Sequence, residues 1–509
     1  MATNHLEPLF IRADTTTDIG TGHVMRCLAL AQAWQDQGGE VFFISHCESD
    51  ALRQRLIDER MHFININKPH PDPSDLKQTL ATLSTMHYPP STKNWLVIDG
   101  YHFDAVYQKT IKDAGYKILW IDDYGHAAHY YADLVLNQNI SADETLYENR
   151  EPYTTLLLGT RYTLLRREFK KWQNWQRKIP ETAQKVLVTM GGGDPDNVTM
   201  KVVQALKQIN ISGLEAKIVI GPANPNMQIL EREISDHTNL QLITNATNMP
   251  ELIAWADIAV SAGGSTCWEL ALMGLPNILI VFANNQVAVA AGLHKHGLSI
   301  NMGCHTDINM IDIAKTLNDV MINVASRKKM YSAGKSNVDG QGSERIITAM
   351  HCKGLFLRKA SMVDCELLFQ WVNDPDARRS AFRSDPIKFI EHTRWYGEKL
   401  NDANFIQYIA INQDDEAVGQ VRFDLKNDEA EVDVSIAPKF RGHGYGACII
   451  EKGVDNVLKS TKITTFHANI KSYNQASIKS FQKANFAIQG LLVINGHKAV
   501  HLILPQGRN

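Results

Sequence analysis

The chain has 509 residues, of which 44% are hydrophobic and 21% are charged, and its formal net charge at pH 7 is −3. This length exceeds one ordinary hydrophobic core and predicts about three domains. The balanced charge excludes the basic surface of a typical nucleic-acid-binding protein, and no apolar run approaches the ~20 residues of a membrane span. Because "MATNHLEPLF" lacks the regions of a signal peptide, we expect a cytoplasmic enzyme with no nucleic-acid or membrane partner.

The first half of the chain alternates short apolar runs with helical patterns. This alternation is typical of βαβ units and predicts a parallel sheet. The predicted strands are "LFIRA" (9–13), "VFFIS" (41–45), "WLVID" (95–99), "KILWID" (117–122) and "LVLNQ" (134–138).

A polar stretch with two tryptophans, "KKWQNWQRKIPETAQK" (170–185), then interrupts the pattern, which starts again after it. The second set of predicted strands is "KVLVTM" (185–190), "AKIVIG" (216–221), "LQLIT" (240–244), "DIAVSA" (257–262) and "NILIVF" (277–282). We therefore predict two Rossmann-like domains in tandem, 1–170 and 171–350, with a ligand cleft beyond the carboxyl ends of their strands.

The pattern changes again near residue 351. A helical segment, 364–374, is followed by strand-like runs at 405–411, 417–425, 429–437 and 464–470. This order predicts a third, mixed α+β domain over 355–509.

Seven cysteines are scattered along the chain at 27, 47, 267, 304, 352, 365 and 448. No CxxC or CxxH spacing occurs among them, so we expect neither a zinc site nor a disulfide framework. We expect helix-end amides to hold the phosphates, and no metal is expected.

Three loops of the first two domains carry chemistry, and each follows a predicted strand. They are "DIGTGHVMR" (18–26), "MGGGDPDN" (190–197) and "SAGGSTCWELALMG" (261–274). Glycines let backbone amides approach an anion, and a helix N-terminus favours a phosphate. The predicted nucleotide-binding residues are Gly22, Gly191, Gly192, Gly193, Gly263, Gly264, Ser265 and Thr266, with Glu269 one turn further to accept ribose hydroxyls. The alternative is that the glycines serve tight turns and Ser265 merely caps its helix.

His23 stands where the first loop becomes a helix. The partial positive charge of a helix N-terminus disfavours an imidazolium ion, so a histidine there tends to stay neutral. A neutral imidazole can take a proton from water, which predicts a general base. The alternative is a structural histidine at the helix start.

The spacing GGS-T-x-x-E resembles the nucleotide-sugar-binding helix of the GT-B superfamily, which implies UDP as the nucleotide. The longer string "IRAD…IGTGHVMRCLALA" resembles the signature of the UDP-2,4-diacetamido-2,4,6-trideoxy-β-L-altropyranose hydrolase family of pseudaminic acid biosynthesis. "VIDGY" (97–101), "LWIDD" (119–123), "VTMGGGDPDNVT" (188–199), "SAGGSTCWE" (261–269) and "ANNQ" (283–286) follow in the same order. The resemblance covers about 8–345 and implies a GT-B-like pair of domains.

Carried over to this chain, the resemblance implies that His23 is the base and that Asp14, Tyr101 and Asn285 line the cleft. It also implies that the glycine loops and Glu269 contact UDP. Gly100 departs from the pattern, since the family often has histidine there, but Tyr101 is in place.

In the third domain, "VDVSIAPKFRGHGYGACIIEKGVDNV" (432–457) reads as strand, turn and helix. It resembles the pyrophosphate loop of Gcn5-related N-acetyltransferases (GNAT), whose amides face the phosphates of coenzyme A. "NQASIKSFQKANF" (474–486) resembles a later helix of that family. The acetyl-CoA-binding residues that the resemblance implies are Ile436, Arg441, Gly442, Gly444, Tyr445, Gly446 and Asn474.

Two features of this domain bear on its chemistry. Phe481 replaces a common tyrosine and cannot protonate a leaving thiolate, and Asn485 stands where glycine is usual but tolerates positive φ. Glu431 and Asp433 lie on one polar strand face. Either is a candidate base for the amine, or simply part of a solvent-facing surface.

These resemblances imply a bifunctional enzyme. Its first part removes UDP from a UDP-linked 2,4-diacetamido-trideoxy sugar, and its second part acetylates the 4-amine of the UDP-sugar precursor with acetyl-CoA. We also expect weak association with other enzymes of the pathway. The alternatives are a GT-B glycosyltransferase fused to an acyltransferase and a non-catalytic sugar-nucleotide sensor.

Overall fold

A computed structural model describes residues 7–16, 19–85, 94–191, 194, 196–221, 224–244, 246–412, 415–442 and 444–505. The chain divides into two compact units, one spanning His5–Glu344 and the other containing Arg345–Asn509. Three sheets, one in each predicted domain range, account for the strands below, while the exact domain boundaries remain predictions.

The first sheet has seven parallel strands in the order β3-β2-β1-β4-β5-β6-β7. Its strands are β1 (Leu9–Ala13), β2 (Val41–Ser45), β3 (His62–Asn65), β4 (Trp95–Asp99), β5 (Lys117–Ile121), β6 (Leu134–Asn137) and β7 (Thr155–Leu158). Its helices are α1 (Gly22–Gln35), α2 (Asp50–Asp58), α3 (Pro73–Thr85) and α4 (Ala105–Asp113).

The second sheet has six parallel strands in the order β10-β9-β8-β11-β12-β13. They are β8 (Lys185–Thr189), β9 (Glu215–Ile220), β10 (Leu240–Thr244), β11 (Ile258–Ala262), β12 (Asn277–Val281) and β13 (Ile300–Cys304). The helices of this part are α5 (Val198–Leu206), α6 (Met227–Ile234), α7 (Met249–Trp255), α8 (Thr266–Leu272), α9 (Asn284–Lys295), α10 (Met310–Ile322), α11 (Val324–Asn337) and α12 (Gly342–Cys352).

The third sheet has the order β14-β15-β16-β17-β18-β20-β19 and is antiparallel except between β17 and β18. Its strands are β14 (Phe356–Lys359), β15 (Phe405–Ile411), β16 (Ala417–Lys426), β17 (Glu429–Ile436), β18 (Thr465–Lys471), β19 (Ala487–Ile494) and β20 (His497–Pro505). Its helices are α13 (Cys365–Val372), α14 (Pro375–Ser380), α15 (Phe389–Leu400), α16 (Tyr445–Ser460) and α17 (Gln475–Lys483).

The prediction of two Rossmann-like domains followed by a mixed α+β domain is confirmed. In the first sheet the strand order reverses between β1 and β4, and in the second between β8 and β11. Ligands of such sheets bind beyond the carboxyl ends of the strands at these reversal points. Each sheet of the His5–Glu344 unit therefore offers one such position.

The cysteine spacing indicated no disulfide framework, and the structure contains one disulfide among the described residues. Cys352 at the end of α12 and Cys448 in α16 form a disulfide, with their Cα atoms 5.8 Å apart. They are 96 residues apart in the chain, so no short spacing motif could indicate the pair.

Candidate active sites

The first candidate site lies where the strand order of the first sheet reverses. Asp14 directly follows β1, and Asp99 is the last residue of β4. Ala13 and Asp99 are partners in the parallel register of these two strands. Helix α1 begins at Gly22, so His23 is its second residue.

His23 is held by a buried carboxylate. Its Nδ1 lies 2.7 Å from Oδ1 of Asp99, which is fully buried, and 8% of His23 remains exposed. Arg26, one turn along α1, donates to both oxygens of Asp99 at 2.6 and 2.7 Å. Burial opposes ionisation of Asp99, but the charge of Arg26 and its hydrogen bonds hold the pKa of that carboxyl well below its ordinary value.

Arg26 extends this network to a second carboxylate. Its Nη1 donates to both oxygens of Asp123, at 2.8 and 2.9 Å. The hydroxyl of Tyr101 donates to Asp123 Oδ2 at 2.5 Å and accepts from Asn285 Nδ2 at 3.0 Å. Burial and the charge of Asp123 raise the pKa of Tyr101, so this phenol stays protonated. Its ring packs edge-on against His23, with centroids 4.7 Å apart.

Three of the predicted cleft residues, His23, Tyr101 and Asn285, are thus brought together. The fourth, Asp14, lies in a separate buried network. It forms an ion pair with Arg12, accepts the backbone N–H of His46 at 2.7 Å, and pairs with His102 Nε2 at 2.9 Å. Burial raises the pKa of Asp14, but the bond from His102 and the charge of Arg12 outweigh burial and lower it to about 2.

The predicted UDP-binding loops lie at the strand-order reversal of the second sheet. Gly191 follows β8, while Gly192 and Gly193 fall outside the described residues. Gly263 and Gly264 follow β11 and lead into α8, with Ser265 at its N-cap and Thr266 as its first residue. Ser265 is exposed, and its side chain makes no capping hydrogen bond, so the alternative reading of Ser265 as a side-chain cap does not hold here.

Glu269 has a partner that the sequence analysis missed. Arg166 donates to Glu269 Oε1 from Nε at 3.2 Å and from Nη2 at 2.7 Å. Arg166 also pairs with Glu168 at 2.9 Å. Burial raises the pKa of the Glu269 carboxyl, and the charge of Arg166 opposes that rise. Both bonds go to Oε1, so Arg166 leaves Oε2 of Glu269 for the predicted ribose hydroxyls.

The second candidate site lies in the Arg345–Asn509 unit, where β17 and β18 separate. These parallel strands pair only from Glu429 to Glu431 on β17 and from Thr465 to His467 on β18. Beyond these pairs, the two strands run on without pairing, which leaves an opening between them.

The two candidate bases lie on the exposed face of β17 and have different partners. Glu431 accepts a hydrogen bond from Asn469 Nδ2 at 3.0 Å. Asp433 pairs with Arg422 Nη2 at 3.3 Å, and its side chain is 53% exposed. Glu431 therefore has an uncharged partner, whereas the partner of Asp433 carries a positive charge.

The predicted coenzyme A loop joins β17 to α16. Gly442 has φ +84° and Gly444 has φ +79°, backbone conformations that favour glycine. Gly444 is the N-cap of α16, whose first residues are Tyr445 and Gly446. The side chain of Arg441 forms ion pairs with Asp374 at 2.6 Å and with Asp376 at 3.2 Å. Asp374 precedes α14, and Asp376 lies in that helix.

The other predicted residues of this site have structural contacts of their own. The carbonyl of Ile436 accepts from Arg441 Nε at 3.1 Å. The side chain of Asn474 accepts from the N–H of Ser477 at 3.2 Å and so caps α17. Phe481 is buried in the core of the unit against Phe486, and Asn485 has φ +66° as its position requires.

The residues missed by sequence reasoning are mainly the partners of predicted residues. Asp99 and Asp123 stand within quoted motifs, and each lies at or just after the end of an apolar strand. A carboxylate at the carboxyl end of a buried strand is a signal that could have found them. Arg26 and Arg166 have no local signal for these contacts, since Asp99, Asp123 and Glu269 are distant from them in the chain.

Within the described parts of the chain, no helix is long and apolar enough to cross a membrane. The same residues contain no group of three or more histidine, cysteine or acidic side chains arranged to hold a metal ion.

Two family profiles match the chain. The profile of the glycosyltransferase family 28 C-terminal domain matches residues 185–345, and that of the acetyltransferase (GNAT) domain matches residues 354–487. The chain therefore joins a domain of the first type to a GNAT domain. The matches confirm the predicted acetyltransferase and its co-substrate acetyl-CoA.

The alignments of this chain with two curated relatives cover nearly the full length of each relative. An uncharacterized protein of Methanocaldococcus jannaschii is 25% identical over 508 residues, which cover 94% of this chain and 96% of the relative. The UDP-2,4-diacetamido-2,4,6-trideoxy-β-L-altropyranose hydrolase of Campylobacter jejuni is 26% identical over 294 residues, 57% of this chain and 98% of the relative. The predicted fusion of a hydrolase-like part with an acetyltransferase, and the prediction that the chain is an enzyme, are confirmed by these matches.

Among solved structures, the spermidine N-acetyltransferase of Vibrio cholerae in complex with CoA and spermine matches at 19% identity with a TM-score of 0.29. The match covers 30% of this chain and 96% of that one.

Proposed function

We propose that the His5–Glu344 unit hydrolyses a UDP-linked 2,4-diacetamido-trideoxy sugar, with His23 as the general base. The observation that carries this proposal is the His23–Asp99 pair at the strand-order reversal of the first sheet. The similarity to the Campylobacter jejuni hydrolase supports the choice of substrate.

In this mechanism Asp99 sets the tautomer of His23. The carboxylate accepts the Nδ1–H, so Nε2 carries the lone pair that takes a proton from water. The water oxygen forms a bond to the anomeric carbon as the bond from that carbon to the phosphate oxygen of UDP breaks. The imidazolium that results lies beside the Asp99 carboxylate, which stabilises it.

The rest of the network keeps this pair in position. Arg26 neutralises part of the charge of Asp99 and Asp123, so neither buried carboxylate is left unpaired. Tyr101 is a neutral donor to Asp123, and its ring fixes one side of His23. We assign Tyr101 a positioning role.

We propose that the two glycine-rich loops of the second sheet bind UDP. Gly191, Gly192 and Gly193 would present amides to the diphosphate from one loop. Gly263, Gly264, Ser265 and Thr266 would do so from the other, beside the start of α8. These amides would stabilise the negative charge of the departing UDP.

We further propose that the GNAT domain transfers acetyl from acetyl-CoA to the 4-amine of the UDP-sugar precursor. The amine nitrogen forms a bond to the acetyl carbon, the carbon–sulfur bond breaks, and Glu431 takes the amine proton through water. Phe481 has no acidic proton, so another group or solvent protonates the leaving thiolate. Its product is the substrate of the first unit, which gives one chain a reason to hold both activities.

The hydrolase proposal is tested by incubating the full chain with the diacetamido sugar nucleotide and following UDP release. We expect turnover, and we expect His23→Ala to lower it by about 10²–10⁴, the usual worth of a positioned base, with UDP affinity nearly unchanged. Wild-type turnover in His23→Ala would refute the assignment of the base. Release of UDP only when an acceptor alcohol is added would favour a glycosyltransferase instead.

The acetyltransferase proposal is tested with the 4-amino precursor and acetyl-CoA. Gly444→Glu puts a negative charge where the pyrophosphate should lie and should abolish acetyl transfer while sparing hydrolysis of the acetylated substrate. Gly444→Ala is the matched control, because it shares the strained φ but adds no charge and meets no atom closer than 3.5 Å. Equal activity of the two variants would contradict the assignment of the coenzyme A loop.

A further inference from the structure

We propose that His102 binds the sugar of the nucleotide-sugar substrate, accepting a hydrogen bond at Nδ1 from an N–H or O–H of that sugar. The proposal rests on the proposed hydrolase function and adds to it a sugar-binding residue. In this proposal His102 contributes to affinity for the sugar, whereas His23 acts in the chemical step.

The first support is a pair of crossed contacts between β1 and β4. His23, in the segment after β1, is held by Asp99 at the end of β4. His102, in the turn after β4, is held by Asp14 at the end of β1, with 2.9 Å between Nε2 and Oδ2. Each strand thus supplies a carboxylate to the histidine of the other. The mechanism uses only one of these two pairs.

The second support is the state of the His102 ring. Asp14 is fully buried beside Arg12 and is ionised, so His102 Nε2 carries the proton and donates it to that carboxylate. In the neutral imidazole Nδ1 then has a lone pair, and this atom has no hydrogen-bond partner among the residues that the structure describes. The side chain is 16% exposed, so the ring is not closed off from solvent.

The third support is the space that Gly100 leaves. This residue has φ +155°, and a Cβ atom built on it would lie 2.5 Å from Cε1 and 2.9 Å from Nδ1 of His102. The ring also packs on Phe103, with centroids 4.1 Å apart. The imidazole is therefore held by Asp14 and Phe103, and it lies in space that a side chain at position 100 would fill.

The position of this ring indicates what it binds. It stands at the strand-order reversal of the first sheet, where ligands of such sheets bind. An imidazole lone pair recognises a hydrogen-bond donor and offers nothing to the phosphates of UDP, which are acceptors. In the sugar of the substrate, the donors that fit are the acetamido N–H groups and the single free hydroxyl.

The experiment separates binding of the sugar from binding of UDP. UDP and the intact diacetamido sugar nucleotide are each titrated by calorimetry into the full chain carrying His23→Ala, with and without a change at His102. We expect His102→Ala to weaken binding of the sugar nucleotide about 5–20-fold, which corresponds to the loss of one hydrogen bond. The affinity for UDP should change less than about 2-fold. An equal loss for both ligands, or no loss, would overturn the proposal.

A matched pair of variants distinguishes binding from support of the fold. His102→Asn keeps an acceptor near the position of Nδ1 but loses the hydrogen bond to Asp14. His102→Gln can still donate to Asp14 but has no acceptor at the position of Nδ1. We expect His102→Asn to retain more sugar-nucleotide affinity and His102→Gln to retain more thermal stability. The reverse order of affinities would show that His102 only supports the loop.

Two further arms complete the test. An analogue with hydroxyls in place of the acetamido groups distinguishes the two donors: if the Ala variant loses no affinity for it, the N–H is the partner. In steady-state assays without His23→Ala, His102→Ala should raise KM with little change in kcat. A fall in kcat alone would overturn a binding role. Absence of hydrolysis in the wild type would refute the proposed reaction, while the titrations would still decide whether His102 binds the sugar.

Discussion

The two candidate sites hold their acidic groups in different ways. In the His5–Glu344 unit, Asp14 and Asp99 are fully buried, and each is paired with an arginine and a histidine. In the Arg345–Asn509 unit, Glu431 and Asp433 stand on an exposed strand face with one partner each. Because the first set is buried, removing one of its contacts should cost much free energy of unfolding. Water can replace the contacts of the second set, so their removal should cost little. The four predictions below test this contrast.

The largest effect is expected at Asp99. Asp99→Asn removes the carboxylate that holds His23 Nδ1 and should lower UDP release by about 10²–10⁴. Asp123→Asn is the matched control, since it also takes a carboxylate from Arg26 but does not touch His23. Steady-state kinetics should show the larger loss of kcat in Asp99→Asn. Equal losses would mean that Arg26, and not the contact to His23, carries the effect.

Asp14→Asn should lower the free energy of unfolding by about 3–5 kcal/mol at pH 7. The reason is that the buried guanidinium of Arg12 loses one compensating negative charge. The folded pKa of Asp14 is about 2, below its ordinary 3.9. Its stabilising contribution is therefore present above pH ~4 and is lost as the pH falls from there toward 2.

Denaturant titrations from pH 7 to pH 3 check this prediction. The difference between wild type and Asp14→Asn should shrink below pH 4. Asp113→Asn, at a side chain that is 65% exposed, should shift the free energy of unfolding by less than 1 kcal/mol throughout. A difference that stays constant with pH would show that the charge of Asp14 is not what stabilises the fold.

Glu431→Gln should lower acetyl transfer by about 10–10²-fold, less than the full worth of a positioned base, since solvent reaches this strand face. Asp433→Asn, two residues along the same face, should lower it less. Initial rates of coenzyme A release with the 4-amino sugar nucleotide measure both. A greater loss in Asp433→Asn would transfer the role of base to that residue.

The smallest effect is expected for the stability of Asp433→Asn. Its pair with Arg422 is half exposed, so removing it should change the free energy of unfolding by less than ~1 kcal/mol. That small change should diminish further in 1 M salt, where exposed charges are screened. A loss of several kcal/mol would mean that this face is closed to water, contrary to the comparison above.

The predicted strands agree with the structure where both faces of the strand are buried. β1, β2 and β4 were predicted at their observed bounds because each is a mainly apolar run. The strands that sequence reasoning missed are short or half-exposed. β3 reads "HFIN" and β13 reads "INMGC", and both lie at sheet edges, where a weak apolar pattern suffices.

The hairpin of β19 and β20 was also missed, although it had a local signal. Asn495 and Gly496 separate two alternating runs, and both have positive φ, as a two-residue hairpin turn requires. The exposed residues of β19 obscured the alternation, so the turn was the more informative feature.

At the site, the sequence by itself placed His23 at a helix start, the glycine loops after their strands and the coenzyme A loop before α16. These are local properties, since apolar periodicity and glycine spacing act within a few residues. The tertiary structure alone decided which charges meet. His23 and Asp99 are 76 residues apart, and Asp14 and His102 are 88 residues apart. Both pairs exist because β1 and β4 are neighbours in the sheet, and a hydrogen bond depends on that strand order and not on any spacing in the chain.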